Sequence, residues 1–286
     1  MGNAQGYEEQ AKLRARRFRA EHGLGTGPLA RDLVEIIERA TGWDVLVVAA
    51  GGDEHGLTMR DPEAGAAFLC VAKTPHFMRQ RSSLAHELAH VLFGDAKLPG
   101  GRALDGRDIP EKRADSFARH LIIPEDGLRE FLGDETEINE SVVSEVVQHF
   151  LVSPPMALIQ LRRTGYLSEQ ERARLARAIP STPALATRFG WGDRYAALQQ
   201  LSDHARAPRR LLARAIEGYR LGVVSPEQIA LLRGTTAPEV VAELESVGIL
   251  PEDPTIAEPE DVDWPDVDVT AVDQALDGAS AEEACS

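Results

Sequence analysis

The sequence predicts an α+β fold followed by an all-α extension. Three observations carry that expectation. Short β-rich runs are confined to residues 43–72, helix-period apolar patterns flank them, and from about Ile109 to Leu250 the patterning is helical throughout.

The elements follow in order. Tyr7 to His22 is charged and Ala-rich, a helical segment with Gly23 placed to stop it. Pro28 to Thr41 repeats Leu29, Leu33, Ile36, Ile37 and Ala40 at helical spacing and ends at Gly42. Trp43–Ala49 and Ala66–Ala72 read as strands separated by Gly51, Gly52, Asp61 and Pro62, with Gly56–Arg60 a third strand between them. Ser83–Phe93 reads as a helix entered through a Ser cap and closed by Gly94. A Gly, Pro and Asp-rich loop, Asp95–Asp108, leads to a helix over Ile109–Ile123 that Pro124 ends. Further on, Ser168 with Glu171, Ser225 with Gln228 and Thr236 with Glu239 mark helix entries as capping boxes. Pro180–Trp191 reads as a connector between helical groups. The expected division is residues 1–135, 136–250 and a disordered acidic tail, 251–286.

Charge is unevenly placed. The formal charge is −15, but Pro251 to Ser286 holds 12 Asp and Glu and no Lys or Arg, leaving −3 on the other 250 residues. The body is therefore close to neutral, which excludes a uniformly acidic surface as a guide to partners. Cys70 and Cys285 are the only cysteines, so a disulfide framework and a Cys-based zinc site are both excluded. Met1 to Arg17 has no apolar h-region, and the longest uncharged run near Val146–Leu161 is broken by Pro154 and Pro155. No membrane association is expected, and the reading is cytoplasmic.

The informative motif is His86-Glu87-Leu88-Ala89-His90. Residues four apart share a helix face, so both imidazoles can reach one metal ion while Glu87 stands beside them as a proton acceptor for a metal-bound water. Leu84, Leu88, Val91 and Leu92 supply the apolar face that anchors the helix. Chance alone puts this pattern in roughly 2% of chains with this His content, so the spacing carries information. A catalytic zinc site needs a third protein ligand. The Gly and His of the longer His-Glu-x-x-His-x-x-Gly-x-x-His pattern are replaced by Phe93 and Ala96, which leaves a carboxylate from a later helix. Glu111 and Asp115 share a face there, Glu111 as ligand and Asp115 as hydrogen-bond acceptor for the far nitrogen of a ligand histidine. The competing reading of the same residues is a helix start with Asp108 as cap and Glu111 three later.

The run Arg79-Gln80-Arg81-Ser82-Ser83-Leu84-Ala85-His86-Glu87-Leu88-Ala89-His90, followed by Glu111, Ala114-Asp115, Phe117-Ala118 and Ile122-Ile123-Pro124, resembles the ImmA/IrrE metallopeptidases. The resemblance extends over about Tyr7–Leu167 and departs from the family at Ser82, where Phe is usual. It implies a zincin-like metallopeptidase domain with a small sheet and the His-Glu-x-x-His helix. It also implies zinc held by His86, His90 and Glu111, and Glu87 as catalytic base of a peptide hydrolysis. The donor set also suits Mn2+ or Fe2+. The substrate so implied is a helix–turn–helix repressor or antitoxin whose cleavage relieves repression. The alternative from another class is a non-catalytic regulator that binds a partner or DNA and uses its metal structurally.

Several residues are candidates by type alone. His120, His149 and Tyr166 are possible oxyanion donors. Arg79 and Arg81 read as a solvated turn, with substrate contact the lesser reading. Ala66–Ala72 is a sheet edge for an extended substrate to pair with. Val142–Leu161 has helix–turn–helix character, with Gln160, Arg162 and Arg163 as base-reading candidates, but the near-neutral body favours helix packing over direct DNA binding.

Overall fold

The computed structural model describes residues 2–49, 56–61, 66–95, 109–133 and 137–252. The Asp95–Asp108 loop beyond its first residue, the Asp108 cap and the tail past Glu252 lie outside these residues. The described chain is α+β and mostly helical: α1 (Gly2–Glu21), α2 (Leu33–Thr41), β1 (Asp44–Val48), β2 (Gly56–Asp61), β3 (Ala66–Ala72), α3 (Phe77–Phe93), α4 (Ile109–Ile122), α5 (Glu125–Leu132), α6 (Glu140–Phe150) and α7 (Pro154–Arg163). Then come α8 (Glu169–Ala178), α9 (Thr182–Arg188), α10 (Gly192–Ser202), α11 (Arg209–Arg220), α12 (Pro226–Arg233) and α13 (Ala237–Ser246).

The three strands form one sheet in the order β1-β3-β2, with β1 parallel and β2 antiparallel to β3. Val45 and Val47 of β1 and Leu69 and Val71 of β3 are buried, the period-2 pattern of a sheet with one face on the core. This order corrects the expected substrate edge. β3 is the central strand and its hydrogen bonds are taken on both sides. The outer edge of β1 is also covered, because Val47 and Arg206 exchange backbone hydrogen bonds of 2.9 and 2.8 Å.

Three helices start elsewhere than the pattern suggests, α1 among them at Gly2 rather than Tyr7. α2 begins at Leu33, not Pro28, and Asp32 caps it by accepting from the Glu35 N–H at 3.1 Å. The carbonyls of Ala30 and Arg31 serve another partner. Arg81, 2% exposed, donates Nη1 to both at 2.7 Å. Arg81 is thus inside the molecule rather than on a solvated turn, and burial pushes its pKa down to about 10. α3 begins at Phe77, six residues before the expected Ser83. Phe77, Met78, Arg81, Leu84, Ala85 and Leu88 form one buried stripe, and Pro75 and His76 mark the true entry. Ser82 sits mid-helix and donates its hydroxyl to the Met78 carbonyl four residues back at 3.0 Å, a bond that imitates a cap in sequence without making one. Gln80 ties α3 to the sheet by donating to the Ala72 and Ser202 carbonyls at 3.2 and 3.0 Å.

One hydrophobic core runs from Ala11 to Leu198, with α4 packed between α1 and α3. A smaller cluster of Ala215, Tyr219, Ile229, Ala230, Val240 and Leu244 holds α11 to α13 together. α6 and α7 meet at 105°, with Leu151 between them in the left-handed region at φ 54°. Together they are as long and apolar as a membrane span. Val143, Val146, Val147, Phe150, Ala157, Leu158 and Leu161 are nonetheless buried in the core. No single helix among the described residues is long and apolar enough to cross a membrane. Gln160, a base-reading candidate, is fully buried, donating to the Ile123 carbonyl at 2.8 Å and accepting from Arg119 at 2.9 Å. Arg162 and Arg163 pair with Glu169 and Glu8. The stretch expected as a connector holds α9, capped by Ser181; the expected box at Ser168 forms with both of its bonds, and at Ser225 and Thr236 the side chains of Gln228 and Glu239 accept from the cap N–H.

Candidate metal centre

α3 carries His86, Glu87 and His90 on one turn, backed by Leu84, Ala85, Leu88, Ala89 and Val91, all 3% exposed or less. α4 lies against it. Its apolar stripe, Ala114, Phe117, Ala118 and Leu121, is buried, and Glu111 and Asp115 on the neighbouring face meet the histidines.

The two imidazole Nε2 atoms are 3.0 Å apart. Glu111 brings Oε2 to 3.1 Å from His86 Nε2 and Oε1 to 3.6 Å from His90 Nε2. An ion bound at ~2.0–2.1 Å in a tetrahedral set needs donors about 3.3 Å apart, and the three separations bracket that value. The three side chains are the metal-capable group found among the described residues, with ligand atoms all within 4.8 Å of one another.

The outer nitrogens decide what the inner ones can do. His86 Nδ1 lies 2.9 Å from Asp115 Oδ1, and His90 Nδ1 lies 2.9 Å from Asp95 Oδ1. A carboxylate at that distance accepts a hydrogen bond from Nδ1–H, so each neutral ring turns an Nε2 lone pair toward the other and toward Glu111. Three electron-pair donors then face one point with no proton between them. A divalent cation satisfies that arrangement; without one, a proton must. Burial opposes charge on His86, but the Asp115 hydrogen bond and the charges of Asp115, Glu87 and Glu111 outweigh it and hold its pKa above the usual imidazole value.

All five residues singled out in the sequence therefore sit at this junction of α3 and α4. Asp95 was not among them. It follows Gly94, whose φ of 73° ends α3 in the left-handed turn that folds the chain back over His90. The signal was present as an acid directly after a helix-stopping glycine. Burial alone raises the Asp95 carboxyl, but hydrogen bonds from His90 and Arg113 overcome this and hold it below the ordinary Asp range. The oxyanion candidates lie elsewhere. His120 is buried against Glu8 at 2.9 Å, His149 stacks on Phe131 at 4.2 Å, and Tyr166 packs on the main core.

Among curated proteins there is no match to this chain. Residues 44–162, from β1 into α7 and including both histidines, Glu87, Asp95, Glu111 and Asp115, match the family model Peptidase_M78, the IrrE N-terminal-like domain.

Proposed function

We propose that the chain is a zinc-dependent endopeptidase with a zincin-like catalytic domain, cutting a helix–turn–helix repressor or antitoxin and so relieving repression. The observation that carries the reading is the convergence of His86, His90 and Glu111, each imidazole tied behind by a carboxylate. The match of the surrounding stretch to a peptidase family supports it. The substrate class rests on the family resemblance.

When bound, the metal supplies Lewis acidity, acidifying a water and polarising the scissile carbonyl. His86, His90 and Glu111 hold it. Glu87, one residue from His86 on the same turn, orients the attacking water, accepts its proton and delivers that proton to the departing amine. An extended substrate that pairs with this sheet does so along β2, since β3 is central and β1 is covered by Arg206.

Replacing Glu87 with Gln tests this. The variant keeps stoichiometric metal and loses cleavage of the partner repressor. A chain whose metal is structural is indifferent to that change, and a parent that cleaves no partner, or a Glu87→Gln variant that cleaves as well as the parent, refutes the peptidase reading.

A further inference from the structure

We propose that Asp95 and Arg113 form a positioning pair for His90, through which α4 sets the orientation of a metal ligand that belongs to α3. The inference rests on the metal centre described above.

Asp95 grips His90 twice. Its backbone N–H donates to the His90 carbonyl at 3.1 Å, and the Gly94 N–H bonds back to the Val91 carbonyl at 3.2 Å. These two bonds form the paired closure that ends a helix on a left-handed glycine. The closure delivers the Asp95 side chain to the His90 ring, Oδ1 to Nδ1 at 2.9 Å. The ring is thus held at its root and at its far nitrogen by one residue.

Asp95 is in turn held by α4. Its other oxygen, Oδ2, accepts from Arg113 Nη2 at 2.7 Å. Arg113 makes two further contacts and leaves one donor unpaired. Its guanidinium carbon lies 4.1 Å over the Phe93 ring, Nη1 reaches Gln10 of α1 at 3.3 Å, and Nε is buried without a hydrogen-bond partner. A buried donor left unpaired costs stability, so the fork is placed by the Asp95 bond and the Phe93 stack rather than by satisfying every N–H.

The two histidines are therefore supported unequally. Asp115, behind His86, has 71% of its side chain exposed, whereas Asp95 and Arg113 are each 20% exposed. Alternate residues of α4 divide the work: Glu111 reaches both Nε2 atoms, Asp115 reaches His86, and Arg113 acts on His90 through Asp95. Water can replace a carboxylate as open as Asp115 more readily than one held by Arg113 and only one-fifth exposed.

Metal affinity tests this without recourse to peptidase activity. Zn2+ affinity is measured by chelator competition on the full chain and on Asp95→Asn, Arg113→Met, Arg113→Lys, Asp115→Asn and the Asp95→Asn/Arg113→Met double variant. Co2+ absorption reports the ligand field, and unfolding of the metal-free proteins serves as the folding control. The expected result is a loss of roughly 10–100-fold in Zn2+ affinity for Asp95→Asn. Arg113→Met gives a comparable loss, Arg113→Lys falls between it and the parent, and the double variant is no worse than Asp95→Asn. The Co2+ spectrum shifts in the first two, metal-free unfolding matches the parent, and Asp115→Asn loses less. If Asp95→Asn and Arg113→Met bind Zn2+ within about threefold of a parent that itself binds one ion, or if their losses simply add, the positioning pair is refuted and the peptidase reading stands. If the parent holds no stoichiometric divalent ion, the peptidase reading itself fails.

Discussion

Glu8 tests how α4 is held in place. From α1 its carboxylate bonds Arg119, His120 Nε2 at 2.9 Å, Ser116 Oγ at 2.6 Å and Arg163 at 2.9 Å. Its side chain is 14% exposed and that of Arg119 is 8% exposed, so the pair lies largely out of water. Removing one partner of a buried pair costs ~3–5 kcal/mol, because the other charge stays behind uncompensated. Glu8→Gln keeps the shape and one acceptor oxygen but turns an NH2 toward groups that are themselves donors. The expected cost is therefore near the lower bound, ~3 kcal/mol. In a chain of this size 1 kcal/mol moves Tm by roughly 2–4 °C, so the fall is ~6–12 °C in a thermal scan at neutral pH. Arg163→Ala, whose side chain is 35% exposed, costs under ~1 kcal/mol.

The pH dependence has a definite sign. Burial pushes the Glu8 pKa up, but the His120 bond, the Arg119 charge and the Ser116 and Arg119 bonds together hold it well below its ordinary 4.5. A depressed folded-state pKa adds stability that is complete above the unfolded value and is lost as pH falls. The parent therefore loses stability through the acid range faster than Glu8→Gln does. A variant that unfolds within ~1 kcal/mol of the parent at neutral pH, or shares its acid slope, refutes the reasoning.

Other outcomes follow from the same packing. Leu88→Ala, at a fully buried position behind the two histidines, costs ~2–5 kcal/mol in urea unfolding, and a loss below ~1 kcal/mol means the α3 stripe is not packed as described. Gly127→Ala would set a Cβ 1.9 Å from the Thr26 carbonyl oxygen, and although alanine favours the helix, the clash leaves the variant ~1–3 kcal/mol less stable. A stabilised Gly127→Ala would deny that close approach of backbone to α5. Because its environment raises the His86 pKa above the ordinary 6.5, protons compete for the site at higher pH than usual, and Zn2+ affinity falls with acidification from above that value. Titrating affinity between about pH 5 and 8 checks this, and a flat profile rejects it.

Most of the candidate metal centre was legible in the chain because its parts are local. His86 and His90 are four apart on one helix, and Glu111 and Asp115 repeat that spacing on another. The helix repeat alone therefore puts each pair on a shared face. Asp95 was harder to see, since its role needs the left-handed turn at Gly94 to fold it back onto His90. The capping boxes were legible for the same local reason. Ser83 misled because a serine inside a helix has the composition of a cap, and its neighbour Ser82 bonds back to Met78 instead of capping.

Period and spacing along the chain thus determined the α+β class, the helix carrying the two histidines and which acids share a face with Glu111. Tertiary packing decided that β3 is central, that Arg206 covers β1, that Gln160 and Arg81 are interior, and that Arg113 reaches Asp95. The reason is physical: helix faces and caps arise from residues within one or two turns, whereas strand order and the partner of a buried polar group depend on segments distant in sequence. Asp95 next to Arg113 is a contact between α4 and the residue that follows the end of α3, and no spacing within either helix encodes it.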